Sequence, residues 1–411
     1  MRTIVIISGL IFTFLPAIGQ KDLAPVYRAF VVRQDSNTVA FNMQVSKEKE
    51  GTFFYMINAD EKIKVGPVYV TNDSVNFEMP VFESSFKTKR NADGSFRGIW
   101  NKGTTGDFQN WVFVAYPNQL YRFIKNQGSA VFNISGKWDV TITRPNGTPR
   151  KAVAEFEQMG DKLTGSFITP TGDYRFLEGI VTGDSLKLST FDGSHAYTFY
   201  AKIASAERIT GGVYLAGYNG KETWSAVKDN NVKEPPQEQP TKLKPGESKL
   251  NFTFNDLEGK PVSINDERFK NKVVVVQLMG SWCPNCMDET KFLSDFYNKY
   301  RSKGVEIVSL AYEYSTDIER SRKSLGKFQK LFNVQYPMLI TGVTSIDEEK
   351  TEKTLPQLTP IRAFPTSIFL DRKGNVREVH SVFYGPGTKQ YFEEYKKIFT
   401  NIVEGLLKEK N

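Results

Sequence analysis

The stretch KVVVVQLMGSWCPNCMDE, residues 272–289, combines a run of β-branched residues with both cysteines of the 411-residue chain. Lys272–Leu278 is continuously apolar, as expected for a strand buried on both faces of a parallel sheet. The residues after the cysteines place Phe292, Phe296 and Tyr300 on one face of a helix. The sequence therefore predicts that the cysteines lie at a strand-to-helix junction.

Three explanations suit a Cys-x-x-Cys pair: a structural disulfide, half of a zinc site, or a redox-active dithiol. A disulfide that closes so short a loop removes little chain entropy. Zinc needs about four ligands, and the chain offers only His195 and His380 besides the cysteines. Peroxidase chemistry is also disfavoured, because no lone cysteine lies upstream. These observations favour a redox pair.

The position of the pair at a helix start suits that chemistry. Pro284 fits the first helical position, where its missing N–H costs nothing. The unpaired N–H groups and the dipole at a helix start stabilise a thiolate at Cys283, and the thiolate is the species that attacks disulfides. Cys286 lies one turn further on, so we expect it to be shielded and placed to resolve a mixed disulfide.

The amino terminus, MRTIVIISGLIFTFLPAIGQ, predicts a signal peptide. Arg2 precedes an apolar run from Ile4 to Leu15, and Ala17-Ile18-Gly19 supplies small residues at the cleavage site. We expect cleavage after Gly19, and hence export to the periplasm without a membrane span. The alternative is an uncleaved anchor, for which the run is short. No cysteine near the site is available for a lipid anchor.

Residues 20–227 have the pattern of antiparallel β structure in two accessory units, 20–130 and 131–227. Short alternating runs are separated by turn signals, which include Ala92-Asp93-Gly94, Thr171-Gly172-Asp173 and Asp192-Gly193-Ser194. A segment that begins at Asp73 resembles one that begins at Asp184, an offset of about 110 residues that suggests duplication. We expect a sandwich or a barrel.

Four tryptophans of this region could line a ligand cavity, but tryptophans in β structure are more often core residues. They are Trp100, Trp111, Trp138 and Trp224. We therefore predict that they pack.

The formal net charge of +8 is spread along the chain, and basic runs such as Lys242–Lys244 are short. This pattern argues against a nucleic-acid-binding stripe and favours a mildly basic, solvated surface.

The proline-rich segment 228–248 predicts a linker. Residues 249–411 after it have the alternating strand and helix pattern of an α/β domain. A short hairpin comes first, and the order βαβαβαββα follows. The elements that the sequence predicts are Leu250–Phe254, Pro261–Ile264, Lys272–Leu278, the helix after Cys283, Val305–Ala311, Ile318–Phe332, Tyr336–Ile340, Ile346–Leu355, the strand after Thr366, Val376–Val382 and Gln390–Lys408.

Residues 249–411 resemble the exported TlpA/ResA-type thiol–disulfide oxidoreductases of bacteria. The resemblance rests on strand–Trp-Cys-x-x-Cys–helix, on Phe364-Pro365-Thr366 before a strand, and on the leading Phe252-x-Phe254-x-Asp256 hairpin. It implies a thioredoxin-like fold for about 40% of the chain, with no cofactor and no metal. The β region is similar, much more weakly, to accessory domains that precede such domains in exported proteins.

The resemblance also implies roles for individual residues. Cys283 would be the nucleophile, Cys286 the resolving thiol, and Pro365 the cis-proline beside them. Glu289 would perturb the cysteines and relay protons, whereas the alternative for it is a solvated acid in the first helical turn. The residues expected to contact the client are Trp282, Pro284, Phe364 and Pro365.

Two positions near the site depart from relatives. Gln277 stands where thioredoxins carry a buried aspartate, which leaves Glu289 to handle protons. Within the dipeptide between the cysteines, Pro284 comes first and Asn285 second, whereas this branch usually has proline second. The dipeptide tunes the reduction potential, so the direction of electron flow stays open.

The leading hypothesis is an exported reductase of protein disulfides that draws electrons from a separate membrane dithiol protein. An oxidant that donates its disulfide is the alternative within redox chemistry. A third hypothesis is a binding protein, in which the β region holds a peptide or small ligand and the thioredoxin-like half is a scaffold.

Overall fold

The computed structural model describes residues 22–106, 108–125, 128–237 and 239–409. The predicted signal peptide lies outside these ranges. In the described part of the chain, three sheets follow one another in chain order, two of them antiparallel and one mixed.

The first sheet has nine antiparallel strands and stays open. Its strands are β1 (Val26–Val32), β2 (Thr38–Glu48), β3 (Gly51–Asn58), β4 (Glu61–Val65), β5 (Tyr69–Val70), β6 (Val75–Glu78), β7 (Ser84–Arg90), β8 (Phe96–Lys102) and β9 (Gln109–Pro117). Their order is β4-β3-β2-β1-β9-β8-β7-β6-β5, so β4 and β5 are the edge strands of a half-barrel.

The second sheet closes into a barrel. Its strands are β10 (Gly136–Thr143), β11 (Pro149–Met159), β12 (Lys162–Thr169), β13 (Gly172–Asp173), β14 (Leu177–Thr182), β15 (Ser185–Phe191), β16 (Ala196–Ser205), β17 (Arg208–Ala216) and β18 (Gly220–Lys228). Eight of them form a ring, closed where β18 pairs with β10, and the short β13 folds back to pair antiparallel with the end of β12. Closure leaves these strands without a free edge.

The half-barrel and the barrel share one strand plan. In each, most consecutive strands pair antiparallel and the last strand pairs with the first, as β9 does with β1 and β18 with β10; in the half-barrel, β4 and β5 do not pair. The segments that begin at Asp73 and Asp184 lie on corresponding strands, β6–β8 and β15–β17. This correspondence supports the duplication that the sequence suggested, and it makes the β region barrel-like rather than a sandwich.

The four tryptophans are core residues, as the sequence predicted. Trp100 and Trp111 are buried in the half-barrel, where Phe86, Phe113 and Phe191 pack with them. The other two, Trp138 and Trp224, are buried inside the barrel.

The third sheet has seven strands and, together with four helices, forms the thioredoxin-like part of the chain. Its elements are β19 (Thr253–Asn255), β20 (Pro261–Ser263), β21 (Val273–Met279), α1 (Pro284–Tyr300), β22 (Val305–Ala311), α2 (Ile318–Leu331), β23 (Met338–Ile340), α3 (Lys350–Thr354), β24 (Thr366–Leu370), β25 (Val376–His380) and α4 (Gln390–Lys408). The strand order is β20-β19-β23-β22-β21-β24-β25, in which β21, β22 and β23 are parallel.

Strand β21 is the centre of this sheet, and all seven of its residues are buried. Because successive side chains point to opposite faces, Val273 and Val275 join the core beneath α1 and α4, whereas Val274 and Val276 join the core on the other face. A strand covered on both faces needs a continuous apolar run, which is the pattern of Lys272–Leu278.

After Lys228, which ends β18, the described residues up to 248 form no regular helix or strand, but they are held against the thioredoxin-like part. Leu243 pairs with Leu358, and Lys249 pairs with Asn375. Near its start, the Gln237 amide donates to the carbonyls of both Pro170 and Ser381. This segment therefore connects the barrel to the thioredoxin-like part by specific hydrogen bonds. The division of the chain into domains at residues 130, 227 and 248 stays a prediction.

Candidate active site

Both cysteines lie at the start of α1 and form a disulfide, with their Cα atoms 5.2 Å apart. Cys283 is the N-cap, and its sulfur accepts a hydrogen bond of 3.1 Å from the backbone N–H of Cys286. Pro284 takes the first helical position. Cys286 is fully buried and Cys283 is 5% exposed, so Cys283 is the more accessible cysteine.

A proline loop lies beside the sulfur of Cys283. The Phe364–Pro365 peptide bond is cis, and the Phe364 carbonyl oxygen is 3.7 Å from Sγ of Cys283. The Phe364 ring meets Trp282 edge-on at 6.0 Å, and the Trp282 indole donates to the Tyr312 carbonyl at 2.8 Å. Trp282 and Phe364 are partly exposed, whereas Pro365 is buried. These residues form one side of the site.

Glu289 is a buried carboxyl, 1% exposed, in the second turn of α1 rather than a solvated acid in its first turn. It accepts hydrogen bonds from Gln277 (2.8 Å), Ser367 (2.9 Å) and the Tyr395 hydroxyl (2.6 Å). Burial raises the pKa of Glu289, against the effect of these three donors. Gln277, which stands where thioredoxins carry a buried aspartate, therefore donates a hydrogen bond directly to Glu289.

The barrel covers the end of α1. The Asn285 amide lies 3.3 Å from the Asp173 side chain, and the backbone N–H of Gly385 donates to the same carboxylate at 2.8 Å. Gly172 has a φ of +136°, and a Cβ there would lie 2.7 Å from the Asn285 amide nitrogen. Only glycine fits both conditions. Pro284 and Asn285 are consequently buried.

The β15–β16 hairpin of the barrel also covers the site, because residues at its tip contact both the half-barrel and the residue before Cys283. Phe191 stacks on Phe41 at 4.2 Å inside the half-barrel. Three residues later, the Ser194 hydroxyl donates to the Trp282 carbonyl at 2.8 Å. The hairpin therefore ties the half-barrel to the residue that precedes Cys283.

A buried ion cluster joins the barrel, the half-barrel and α1. Arg175, in the barrel, donates two hydrogen bonds to Asp288 of α1 (2.9 and 3.0 Å), one to Asp192 of the hairpin (3.0 Å) and one to Glu61 of the half-barrel (2.6 Å). Its backbone N–H also donates to Asp173 at 2.8 Å. The Arg175 side chain is 1% exposed, so its charge depends on these carboxylates for compensation.

One guanidinium cannot neutralise four carboxyl groups, and their pKa values differ accordingly. Burial raises the pKa of Glu61 to about 7 and that of Asp173 to about 6. Asp192 behaves oppositely: burial would raise its pKa, but His195 and Arg175 hold it well below the usual value. The cluster therefore includes protonated carboxyl groups at mildly acidic pH.

A second buried carboxyl, Glu313, supports the loop before the cysteines. It accepts hydrogen bonds from the backbone N–H (2.8 Å) and the hydroxyl of Ser281. Burial raises the pKa of Glu313 to about 7, despite the opposing hydrogen bonds from Ser281. Its position after β22 places it beside the Trp-Cys stretch.

Sequence reasoning placed Cys283, Cys286, Trp282, Phe364 and Pro365 near one another, and the structure brings them together. It missed Asp173, Arg175, Asp192, Asp288 and Glu313. Two of the missed residues, Asp173 and Asp192, stood in stretches that were interpreted only as turn signals. Turn chemistry shows where the chain reverses but not what the turn contacts.

In the described ranges, no helix is both long enough and apolar enough to cross a membrane.

Comparison with known proteins agrees with this geometry. The Redoxin family model matches residues 244–395. A thiol-disulfide oxidoreductase ResA from Bacillus thuringiensis subsp. konkukian is 32% identical over 160 residues, which are 39% of this chain and 80% of the relative. The ResA of Bacillus subtilis is 24% identical over 153 residues, 37% of this chain and 74% of the relative.

Among solved structures, the crystal structure of a thioredoxin-family thiol:disulfide interchange protein from Chlorobium tepidum TLS shares 22% identity. It covers 39% of this chain and 95% of its own, with a TM-score of 0.29.

The fold and the site define a thioredoxin-like thiol–disulfide oxidoreductase with an N-terminal β region. The chain belongs to the ResA family of these enzymes.

Proposed function

We propose that the protein is an exported reductase of protein disulfides. The observation that carries the proposal is the placement of Cys283 at the helix start, beside the Phe364 carbonyl and more accessible than Cys286. The apolar amino-terminal stretch and the ResA relatives support export, and the periplasm is the proposed compartment.

In the proposed reaction, the Cys283 thiolate attacks one sulfur of a client disulfide. The client S–S bond breaks, its other sulfur leaves as a thiolate and takes up a proton, and a mixed disulfide forms. Cys286 then loses its proton and attacks Sγ of Cys283, which releases the second client thiol. Two electrons and two protons pass to the client, and the Cys283–Cys286 disulfide remains. A separate membrane dithiol protein would restore the reduced state.

The reduction potential of the pair tests the direction of this reaction. We expect a value near or below about −220 mV, because reductases of this kind hold a stable disulfide. The measurement equilibrates the protein with glutathione mixtures and counts free thiols by mass after alkylation. A potential near about −120 mV would instead make the disulfide the active form and the protein an oxidant.

Glu289 is proposed to take the Cys286 proton during resolution, since it lies one helical turn further along α1. We expect Glu289→Gln to slow steady-state reduction of a peptide disulfide by about 10²-fold and to flatten its pH–rate profile. A purely structural role would change stability but leave the shape of that profile intact, which would contradict the proposal.

The pH dependence of the unfolding free energy of Glu289→Gln tests the effect of burial on the Glu289 carboxyl. Because the pKa of Glu289 is raised in the folded protein, its contribution is present at low pH and is lost as pH rises through the folded pKa. The unfolding free energy of Glu289→Gln should therefore fall less than that of the wild type between about pH 5 and about pH 8.

A further inference from the structure

The dipeptide between the cysteines is held by the barrel. Asn285, its second residue, is 8% exposed. The amide nitrogen of Asn285 lies 3.3 Å from both the backbone oxygen and the side-chain oxygen Oδ1 of Asp173. Pro284, the first residue of the dipeptide, is also buried. The barrel therefore contacts a residue inside the ring that the disulfide closes.

This contact fixes the orientation of the Asn285 amide. Rotation of the amide by half a turn would place its oxygen against two oxygens of Asp173, which would repel it. In the observed orientation, Oδ1 of Asn285 is buried and has no hydrogen-bond partner among the residues that the structure describes. A buried acceptor without a donor lowers stability. The amide is therefore better explained by its contact with Asp173 than by the stability of α1.

Asp173 is itself fixed from two sides. Its Oδ1 also accepts the N–H of Gly385, in the loop before α4, and its Oδ2 accepts the N–H of Arg175, both at 2.8 Å. Burial raises the pKa of Asp173 to about 6, so the carboxyl is mainly ionised at pH 7 and its hydrogen bond from the amide is charge-assisted. A buried carboxylate with two backbone donors is a rigid support for the dipeptide.

We propose that Asp173 is a positioning residue for the dithiol, which lowers the reduction potential of the Cys283–Cys286 pair through Asn285. The contact between Asp173 and Asn285 is formed while the disulfide is closed. When the S–S bond breaks, the two sulfurs move apart, and a dipeptide held in the closed geometry opposes that movement. A contact that is stronger in one of two states favours that state, so this contact stabilises the disulfide relative to the dithiol. The inference rests on the proposed reductase function, to which a low potential is suited.

The test measures the equilibrium of the purified full chain with glutathione at pH 7. Two glutathione thiols pass two electrons and two protons to the Cys283–Cys286 disulfide and leave as glutathione disulfide; mass spectrometry after alkylation gives the reduced fraction. We expect Asp173→Asn to raise the equilibrium constant for reduction about tenfold, which is about 30 mV in the potential. Asparagine keeps the size of the side chain, but it is uncharged and has one oxygen for the three N–H donors that the Asp173 carboxylate serves.

The double variant distinguishes positioning through Asn285 from a general effect of the Asp173 charge. Asn285→Ala removes the amide through which Asp173 acts, so the further change Asp173→Asn should alter the equilibrium constant by less than about twofold. Asn285→Ala alone should raise the constant, because it breaks the same contact. If Asp173→Asn does not fold, a wild-type constant in Asn285→Ala would by itself overturn the proposal.

Tyr384→Phe is the matched control. The Tyr384 hydroxyl donates to the Thr169 carbonyl at 3.3 Å, so this change removes another buried hydrogen bond between the thioredoxin-like part and the barrel. The equilibrium constant of this variant should stay within about twofold of the wild type, because Tyr384 does not contact the dipeptide through this bond.

Three outcomes would overturn the role of Asp173: a wild-type potential in Asp173→Asn, an equal shift in Tyr384→Phe, or a full shift in the Asn285→Ala background. These outcomes leave the reductase proposal intact, because that proposal depends on the potential of the wild type. A wild-type value near about −120 mV would overturn the reductase direction, whereas the ratio of Asp173→Asn to wild type would still report whether Asp173 positions the dithiol.

Discussion

Replacing Cys283 with serine should reduce the rate of disulfide reduction by at least about 10³-fold, because the hydroxyl is a far weaker nucleophile than the thiolate it replaces. Cys286→Ser should behave differently. Its Cys283 still attacks the client, but the mixed disulfide has no internal thiol to resolve it. Steady-state turnover with dithiothreitol as electron source should fall in both variants.

The covalent products of the two variants distinguish the roles of Cys283 and Cys286. Cys286→Ser mixed with a disulfide peptide should gain the mass of that peptide in one covalent adduct, and Cys283→Ser should gain none. The adduct should form with a single-turnover amplitude close to one per protein. If Cys283→Ser instead traps the peptide, the order of attack is reversed. If the double variant keeps full physiological activity, the binding-protein hypothesis replaces the redox one.

Arg175→Met is expected to lower the unfolding free energy by about 3–5 kcal/mol, since it removes the buried guanidinium that pairs with Asp192, Asp288 and Glu61. The loss should be greater at about pH 8 than at about pH 5, because protonation relieves the unpaired carboxylates at low pH. Chemical denaturation at the two pH values measures both effects.

Arg175→Met should also uncover the site, because the cluster holds the barrel and the half-barrel against α1. We expect the reduced variant to be alkylated at Cys283 faster than the reduced wild type. Glu157→Gln is the matched control: it breaks the exposed pair with Lys389, which also joins the barrel to the redox part, and should cost less than about 1 kcal/mol. A loss below about 1 kcal/mol for Arg175→Met would mean that the cluster does not hold the parts together.

The thioredoxin-like part was predictable because its signals are local. Lys272–Leu278 predicted the central strand, Val305–Ala311 and Gln390–Lys408 match their elements, and Pro284 marked the start of α1. The helix predicted over Ile346–Leu355 is shorter, Lys350–Thr354. Asp347 accepts hydrogen bonds from the Glu349 N–H and the Lys353 side chain, and such local bonds compete with a helical start.

The β region was less predictable because closure depends on pairing between distant residues. Alternation indicated strands, and both sandwich and barrel agreed with it. What decides between them is the register of β10 with β18, which joins Trp138 to Lys228. The half-barrel has the same plan, but its edges β4 and β5 do not meet. We find no residue near β4 or β5 in the sequence that predicts that the first sheet stays open while the second closes.

The site was half predictable for the same reason. The residues that carry out chemistry share a motif, whereas the residues that cover the motif come from turns of the barrel. Ser194 and Trp282 are 88 positions apart, and Arg175 and Asp288 are 113 positions apart. A motif in one segment predicts its own geometry. It does not predict which turn of another sheet will lie against it.

The place of the β region at the front of the chain has a consequence for biosynthesis. Chains are made from the amino terminus, and units generally fold in that order. The turns that carry Asp173 and Asp192 therefore exist before Cys283 and Cys286 are made. If the β region folds first, we expect the newly made thiols to meet their cover at once, which would shorten the time in which they can pair with the wrong partner. In a chain of the opposite order, the dithiol would be complete while its cover was still unmade.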